Sequence, residues 1–287
     1  MPVKKILLTG STSFLGSKFI ELYKDSYDIL GISKRDPTNP IDLLDLKSLK
    51  STVESFVPDV IIHTAAIVDQ DAEKVRIPNI QSTKNIVEVA KNNNTPIIFS
   101  SSESVYGGKE NEGNYVETDP YKPRSVYGET KVESEKIIIE SGLNYLITRA
   151  HRYVGINNNY HKPKQFPDTL KKLIAGESVV LDDQKLFRPC LINNIADVYA
   201  HYIENNLDKN LVLNLGVDKS TTYYDFMVDV SRSLDLDSKL IEPGGNELTW
   251  PENSTLCIDK LKSSKYPSIS YNKLLDMIKQ DYLSIRF

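Results

Sequence analysis

The stretch YGETK sets Tyr127 and Lys131 four residues apart, one helical turn, so both side chains fall on the same face of a helix that contains them. A phenol ordinarily near pKa ~10 becomes a proton donor and acceptor when an adjacent ammonium stabilises its anion, and Lys131 takes that part in such a pair. The same spacing recurs at Tyr160 and Lys164, but Pro163 stands between them in a polar stretch where helical alignment is disfavoured. Context selects the first pair, which opens a continuous helical pattern. It follows PIIFSS, a short apolar run whose C-terminal end carries Ser100, Ser101 and Ser102. Parallel α/β sheets place ligands at that edge, and a serine there can hold a substrate oxygen.

A second constellation suits phosphate. Residues 9–16, TGSTSFLG, follow the apolar run Ile6-Leu7-Leu8 and open an amphipathic stretch. At such a strand-to-helix turn, free backbone amides and the positive end of the helix dipole face an anion. Gly10 permits the sharp turn and Gly16 permits close packing of helix on strand. Ser13 occupies the place where a bare glycine backbone best approaches a pyrophosphate. A strand–turn–helix corner with no ligand is the alternative that this stretch alone leaves open. Further on, YDILGI ends in Ser33, Lys34 and Arg35, with no acid immediately at its tip. An acid there would grip the ribose 2′-hydroxyl of NAD, whereas serine and basic side chains accommodate the 2′-phosphate of NADP. The reading leans to NADP(H), with a solvated basic turn as the alternative and Asp36 close enough to compete.

These residues need a scaffold. Through residue 155, short apolar runs alternate with amphipathic stretches: KKILL then FLGSKFIELYKD, YDILGI then LKSLKSTVESF, DVIIHTAA then NIQSTKNIVEVAKNN, PIIFSS then YGETKVESEKIIIES, and LNYLITR. That rhythm predicts βαβ units and an α/β fold, a doubly wound parallel sheet of Rossmann type, with Leu15, Phe19 and Leu22 as the apolar face of the first helix. The expected division is a dinucleotide-binding domain over residues 1–155, rejoined by about 190–220, where IADVYAHYIENN is helix-like and LVLNLG strand-like. Residues 156–287 form mainly a smaller, interleaved C-terminal α/β substrate-binding region. It contains a helix-like DTLKKLIAG, the short strands SVVL and FRPCLI, the stretch ELTWPENSTLCIDKL and a terminal helix, YNKLLDMIKQDYL.

Charge and composition narrow the partners. With 35 basic against 39 acidic residues the formal net charge is -4, which gives no whole-chain case for nucleic acid or an anionic membrane. No segment approaches the roughly 18 uninterrupted apolar residues of a membrane span, and the three-residue apolar run near the N-terminus is too short for a signal peptide. A cytoplasmic protein is expected. Cys190 and Cys257 have neither metal-ligand nor CxxC spacing, so neither a metal site nor a disulfide framework is expected. His63 and His151 have no metal-ligand company and read as hydrogen-bonded scaffold.

TGSTSFLG, DLLDL, HTAA, Asn79 in NIQSTKNI, FSSSESVYGG, ETDPYKPRSVYGETK and TRAHRYVG follow one another in the order and spacing of the extended short-chain dehydrogenase/reductases. The chain resembles that family over nearly its whole length. Within it, DVIIHTAAIVDQDAEK, RPCLINNIADV and WPENSTLCIDKL are most similar to the dTDP-4-dehydrorhamnose reductase branch. The resemblance implies an NAD(P)-dependent oxidoreductase, preferring NADP(H) and able to use NAD(H), that reduces the 4-keto group of a nucleotide-linked deoxysugar. A homodimer is an allowed assembly.

By the same resemblance Ser102 hydrogen-bonds the ketone oxygen, Tyr127 gives it a proton as hydride arrives, and Lys131 binds the nicotinamide ribose and keeps Tyr127 acidic. Gly10, Ser13, Phe14, Leu15 and Gly16 match the pyrophosphate loop, Asp42 and Leu43 the adenine-side contacts, and Ala65 and Ala66 the strip beneath the cofactor. Asn79 and Ser100 join the cofactor set. Arg152, where the branch carries a tryptophan, and Arg188 are the candidate substrate contacts. One segment departs from the branch: SSESVYGG stands where it reads STDYVFDG. That segment is closer to nucleotide-sugar epimerases and dehydratases that retain NAD, which stay an alternative. So does a non-catalytic NADP-binding regulatory subunit resembling that of methionine adenosyltransferase.

Overall fold

The structure is a computed structural model in which residues 3–69, 71–108, 112–160, 162–244 and 253–284 are described. The expected stretches around Trp250 and at His161 lie outside these residues. The N-terminal part alternates strand and helix: β1 (Lys5–Thr9), α1 (Phe14–Tyr23), β2 (Asp28–Ile32), α2 (Leu46–Phe56), β3 (Val60–His63), α3 (Ala72–Lys91), β4 (Ile97–Ser100), α4 (Val126–Ile139) and β5 (Tyr145–Arg149). The chain then runs through β6 (Tyr153–Val154), α5 (Gln165–Ile174), β7 (Val179–Leu181), β8 (Cys190–Leu191), α6 (Ile192–Asn205), β9 (Asn210–Asn214), α7 (Tyr223–Ser233), β10 (Ile241–Pro243), α8 (Asp259–Ser263) and α9 (Tyr271–Ser284).

Six parallel strands make the main sheet in the order β2-β1-β3-β4-β5-β9. Its direction of winding reverses between β1 and β3, and parallel sheets open a ligand crevice at such a switch point. Apolar runs such as Val60, Ile61 and Ile62 are fully buried because helices cover both faces of the sheet. One face packs on α1 and α6 through Leu15, Phe19, Val198 and Tyr202, and the other on α2, α3 and α4 through Leu49, Ile86 and Ile138. Beyond β2 the sheet is extended by a bridge between Ser33 and Pro40. Pro37 and Pro40 bracket that segment, and prolines lack the amide a full strand would use.

Two elements differ from expectation. In α1, Leu15 and Phe19 are buried but Leu22 is exposed. The last turn instead packs Ile20 and Tyr23 on the core, and Tyr23 donates to Asp197 Oδ1 at 2.7 Å. Helix α3 begins at Ala72, seven residues ahead of Asn79, with Asp71 accepting from the Glu73 amide at 3.0 Å, and continues through Pro78.

The later elements build a smaller unit. β7 pairs with β10 and β6 with β8, both parallel. Phe166, Leu170, Phe226, Met227, Leu274 and Ile278 join α5, α7 and α9 in their own core. Strand β9 returns to the main sheet beside β5. Among the described residues no helix is long and apolar enough to cross a membrane.

Candidate active site

The turn after β1 is held by its glycines and by Ser13. Gly10 has φ 73°, and a Cβ there would lie 2.9 Å from both the Ala65 amide nitrogen and Thr64 Oγ1. A Cβ at Gly16 would collide with the Gly10 carbonyl oxygen, so glycine is required for α1 to sit this close to the turn. Ser13 caps α1: its Oγ accepts from the Gly16 amide at 3.0 Å. It also lies 3.2 Å from Thr64 Oγ1, whose own proton goes to the Thr9 carbonyl at 2.8 Å, so Ser13 is the donor of that pair. The serine thus ties the helix start to the ends of β1 and β3. Phe14 and Leu15 are buried in the first turn, and Leu15 joins the sheet core, so its side chain is turned away from any ligand at the turn.

At the tip of β2, Ser33 Oγ pairs with Thr12 Oγ1 at 3.0 Å, Lys34 forms an exposed ion pair with Asp42 at 2.8 Å, and Arg35 is exposed. Asp36 accepts from Ser11 Oγ at 2.5 Å and from the amides of Thr38 and Asn39. Leu43 is a core residue, and its carbonyl accepts from Asn85 Nδ2 at 2.7 Å. Ala65 abuts Gly10, and Ala66 is exposed beside it.

The ends of β4 and β5 and the start of α4 converge at the same edge of the sheet. Ser102 caps a short 3-10 turn (Glu103–Val105). Its Oγ accepts from the Ser104 amide at 3.2 Å and donates to Glu103 Oε2 at 2.6 Å. Ser125 caps α4 through the Gly128 amide at 3.0 Å, and a Cβ at Gly128 would collide with the Ser104 carbonyl. The glycine after Tyr127 therefore lets the first turn of α4 close on the 3-10 turn, bringing Tyr127 within the field of Glu103. Lys131, 4% exposed, donates from Nζ to the Ser100 carbonyl at 2.7 Å and lies 4.6 Å from the Phe99 ring centroid and 5.5 Å from that of Tyr127.

Burial lowers the Lys131 ammonium to about 7, partly offset by Glu135. Burial also holds the Tyr127 phenol above its ordinary value, and the charge of Glu103 adds to the rise. Burial and Glu103 thus act against the lowering that Lys131 is expected to bring to this phenol. Behind the pair, Glu135, one turn after Lys131, meets the buried Arg149 guanidinium at 2.6 Å from Nη2 and accepts from Tyr121 at 2.9 Å. Arg149 also donates to the Glu117 carbonyl at 2.9 Å, so this network pins α4 to the end of β5.

Sequence reading missed Glu103. It is buried, lies 3.7 Å from His151 Nε2, and burial raises it to about 7 against the opposing pull of Ser102 and Arg152. No spacing motif signals it; its position directly after Ser102 on a tight turn was the available clue. Lys164, set aside with Tyr160, also comes here: its ammonium lies 5.4 Å from the Phe14 ring centroid and feels the charges of Arg152 and Glu103. Burial lowers its pKa. Arg152 stacks on Phe187 and Tyr223, at 5.4 and 4.7 Å from the ring centroids. His151 is pushed down to about 3 by burial and by Arg152, while His63 is bonded between Thr9 Oγ1 at 2.8 Å and Thr83 Oγ1 at 3.2 Å.

Three further candidate residues have partners within the protein. The Ser100 hydroxyl pairs with Tyr153 OH at 2.7 Å, and only its carbonyl meets Lys131, because side chains alternate across a strand. Asn79 grips both backbone groups of Ile67, at 2.8 and 2.9 Å, and donates to Thr130 at 3.3 Å, so it ties the loop after β3 to α4 next to Lys131. Arg188 lies along Gly216 and donates to the Val217 carbonyl at 2.7 Å, facing Asp218 and Asp259.

The family model described as the RmlD substrate binding domain matches residues 4–282. Methionine adenosyltransferase 2 subunit beta of Xenopus tropicalis is 24% identical over 258 residues, covering 85% of this chain and 76% of that one. A dTDP-4-dehydrorhamnose reductase of Aggregatibacter actinomycetemcomitans is 25% identical over 239 residues, covering 79% and 78%. In three dimensions the chain superposes on the crystal structure of a dTDP-4-dehydrorhamnose reductase from Bacillus anthracis in complex with NADP. The TM-score is 0.86 at 17% identity, covering 99% of this chain and 100% of that one.

Proposed function

Since the chain belongs to the RmlD substrate binding domain family, we propose that it is an oxidoreductase of the extended short-chain type that prefers NADP(H) and reduces the 4-keto group of a nucleotide-linked deoxysugar. The observation that carries this reading is the gathering of Ser102, Tyr127 and Lys131 at the sheet edge that also carries the glycine turn after β1. The turn suits a dinucleotide pyrophosphate, because it opens the N-terminus of α1, where backbone amides and the helix dipole favour an anion. When bound, the reduced nicotinamide supplies hydride to the carbonyl carbon.

Ser102 holds the carbonyl oxygen, and Tyr127, protonated at neutral pH, delivers the proton that the new alcohol needs. Lys131, fixed by the Ser100 carbonyl beside the phenol, would hold a hydroxyl of the nicotinamide ribose. Arg35 is exposed at the β2 tip for a 2′-phosphate, while Asp36 is engaged by Ser11 and two amides, which supports the NADP preference. In this reading the smaller unit carries the nucleotide sugar, with Arg152 and Lys164 facing its diphosphate.

Oxidation of NADPH and NADH against a panel of 4-keto nucleotide sugars tests the proposal. Turnover with NADPH and at least one member is expected. Failure with every member, together with no cofactor binding in a fluorescence titration, would overturn it. Tyr127→Phe should lower turnover by about 10²–10⁴-fold while NADPH still binds.

The likeness to methionine adenosyltransferase 2 subunit beta favours a second reading, a cofactor-binding regulatory subunit without its own catalysis. That reading gains if Tyr127→Phe leaves every measurable activity intact. An epimerase or dehydratase would instead release bound NAD on denaturation, visible in the absorbance of the supernatant.

A further inference from the structure

Resting on the ketone-reductase reading, we propose that Glu103 is a positioning residue that sets the direction of the Ser102 hydroxyl. A protonated Glu103 leaves Ser102 free to donate to a keto oxygen, and an ionised one turns that donor away and leaves a site suited to the alcohol.

A serine hydroxyl has one proton and two acceptor positions. At Ser102 one acceptor position is filled by the Ser104 amide at 3.2 Å, and Glu103 Oε2 stands 2.6 Å away. An ionised carboxylate only accepts, so it takes the single Ser102 proton. The remaining Ser102 position is then a lone pair, which repels the lone pairs of a ketone and suits an alcohol donor. A protonated Glu103 donates into that second lone pair, and the Ser102 proton turns outward to the carbonyl. One proton on a buried side chain therefore selects between the two oxidation states of the substrate oxygen.

The surroundings keep Glu103 close to that balance. Burial raises it to about 7, while Ser102, its local backbone and the Arg152 guanidinium oppose the rise. His151 faces Glu103 Oε1 from the segment after β5 and stays neutral, being pushed down to about 3 by burial. Tyr127 faces it from α4 as a neutral phenol, and Lys164, ahead of α5, adds a cation that burial weakens. Around neutral pH Arg152 is thus the lasting counter-charge and His151 and Tyr127 stay neutral, while Lys131, which burial brings to about 7, titrates in the same range and does so equally in a Glu103 variant.

Steady-state kinetics of the full chain from pH 6 to 9 test the proposal. In the wild type, KM for the keto substrate should rise about tenfold for each pH unit above neutral, because only the protonated fraction accepts the ketone, while KM for the alcohol in the reverse direction falls. In Glu103→Gln the amide nitrogen donates to Ser102 Oγ at every pH, so the opposed trends in the two KM values should be lost and only the pH dependence that Lys131 contributes should remain. Persistence of the wild-type trend in Glu103→Gln would overturn the proposal.

A wild type that turns over no ketone at any pH would instead defeat the reductase reading. An infrared titration then decides the Glu103–Ser102 coupling alone. A protonated-carboxyl stretch should titrate near neutral pH, be absent in Glu103→Gln and be displaced in Ser102→Ala. No such band, or a band unmoved by Ser102→Ala, would overturn the coupling.

Discussion

Replacing Lys131 with methionine should stabilise the folded protein at pH 6 and not at pH 10. The ammonium falls from 10.5 to about 7 on folding because it is desolvated. Between those values the unfolded chain binds more protons than the folded one, so wild-type stability rises with pH through that window. At about 1.4 kcal/mol per tenfold change in proton affinity the full rise is about 5 kcal/mol. Below pH 7 that cost is present in full, and methionine, with a stem of similar length and no charge, removes it.

The variant loses the bond to the Ser100 carbonyl at 2.7 Å, worth about 1.5–3 kcal/mol for a charged donor, and the approach to the Phe99 ring at 4.6 Å, worth about 1 kcal/mol. The net gain at pH 6 is then about 1–2.5 kcal/mol, turning into a deficit by pH 10. Urea unfolding of both proteins at pH 6, 8 and 10 reads this directly, since other titrating groups cancel in the difference. A difference between variant and wild type that stays constant over this range would refute the reasoning.

The Glu135–Arg149 pair gives a second test. Glu135→Leu strands a buried guanidinium and should cost about 3–5 kcal/mol, whereas Glu135→Leu with Arg149→Met together should cost far less. Equal losses in chemical denaturation would show that the charge itself is unimportant. At the glycine turn, Ser13→Ala should cost about 1 kcal/mol by removing the helix cap and Ser13→Gly only a few tenths. Because the Ser13 proton already goes to Thr64, Ser13→Gly should bind NADPH at least as tightly as wild type. A tenfold weakening in fluorescence titration would mean that the hydroxyl serves a phosphate after all.

The alternation of buried runs and amphipathic stretches through Arg149 was enough to foresee the parallel sheet, because strands covered on both faces must be apolar throughout. Gly10 and Gly16 were legible for a similar reason: a left-handed turn and a helix packed against it admit no side chain. The spacing of Tyr127 and Lys131 is a helical property and needed no tertiary contact. Sequence by itself therefore determined the scaffold, the turn and the tyrosine–lysine pair.

Only the tertiary structure decided what surrounds them. Strand alternation, fixed by the packing of β4, sends the Ser100 hydroxyl to Tyr153 and its carbonyl to Lys131. Lys164 reaches the site because the loop ahead of α5 folds back on Phe14, a contact with no local signature. Asn79 and Arg188 serve backbone groups whose positions depend on separate loops. The proton affinities of Glu103, Tyr127 and Lys131 depend on how completely water is excluded around them. Burial is a property of the assembled fold, which is why the sequence named the tyrosine and lysine but not the carboxyl beside them.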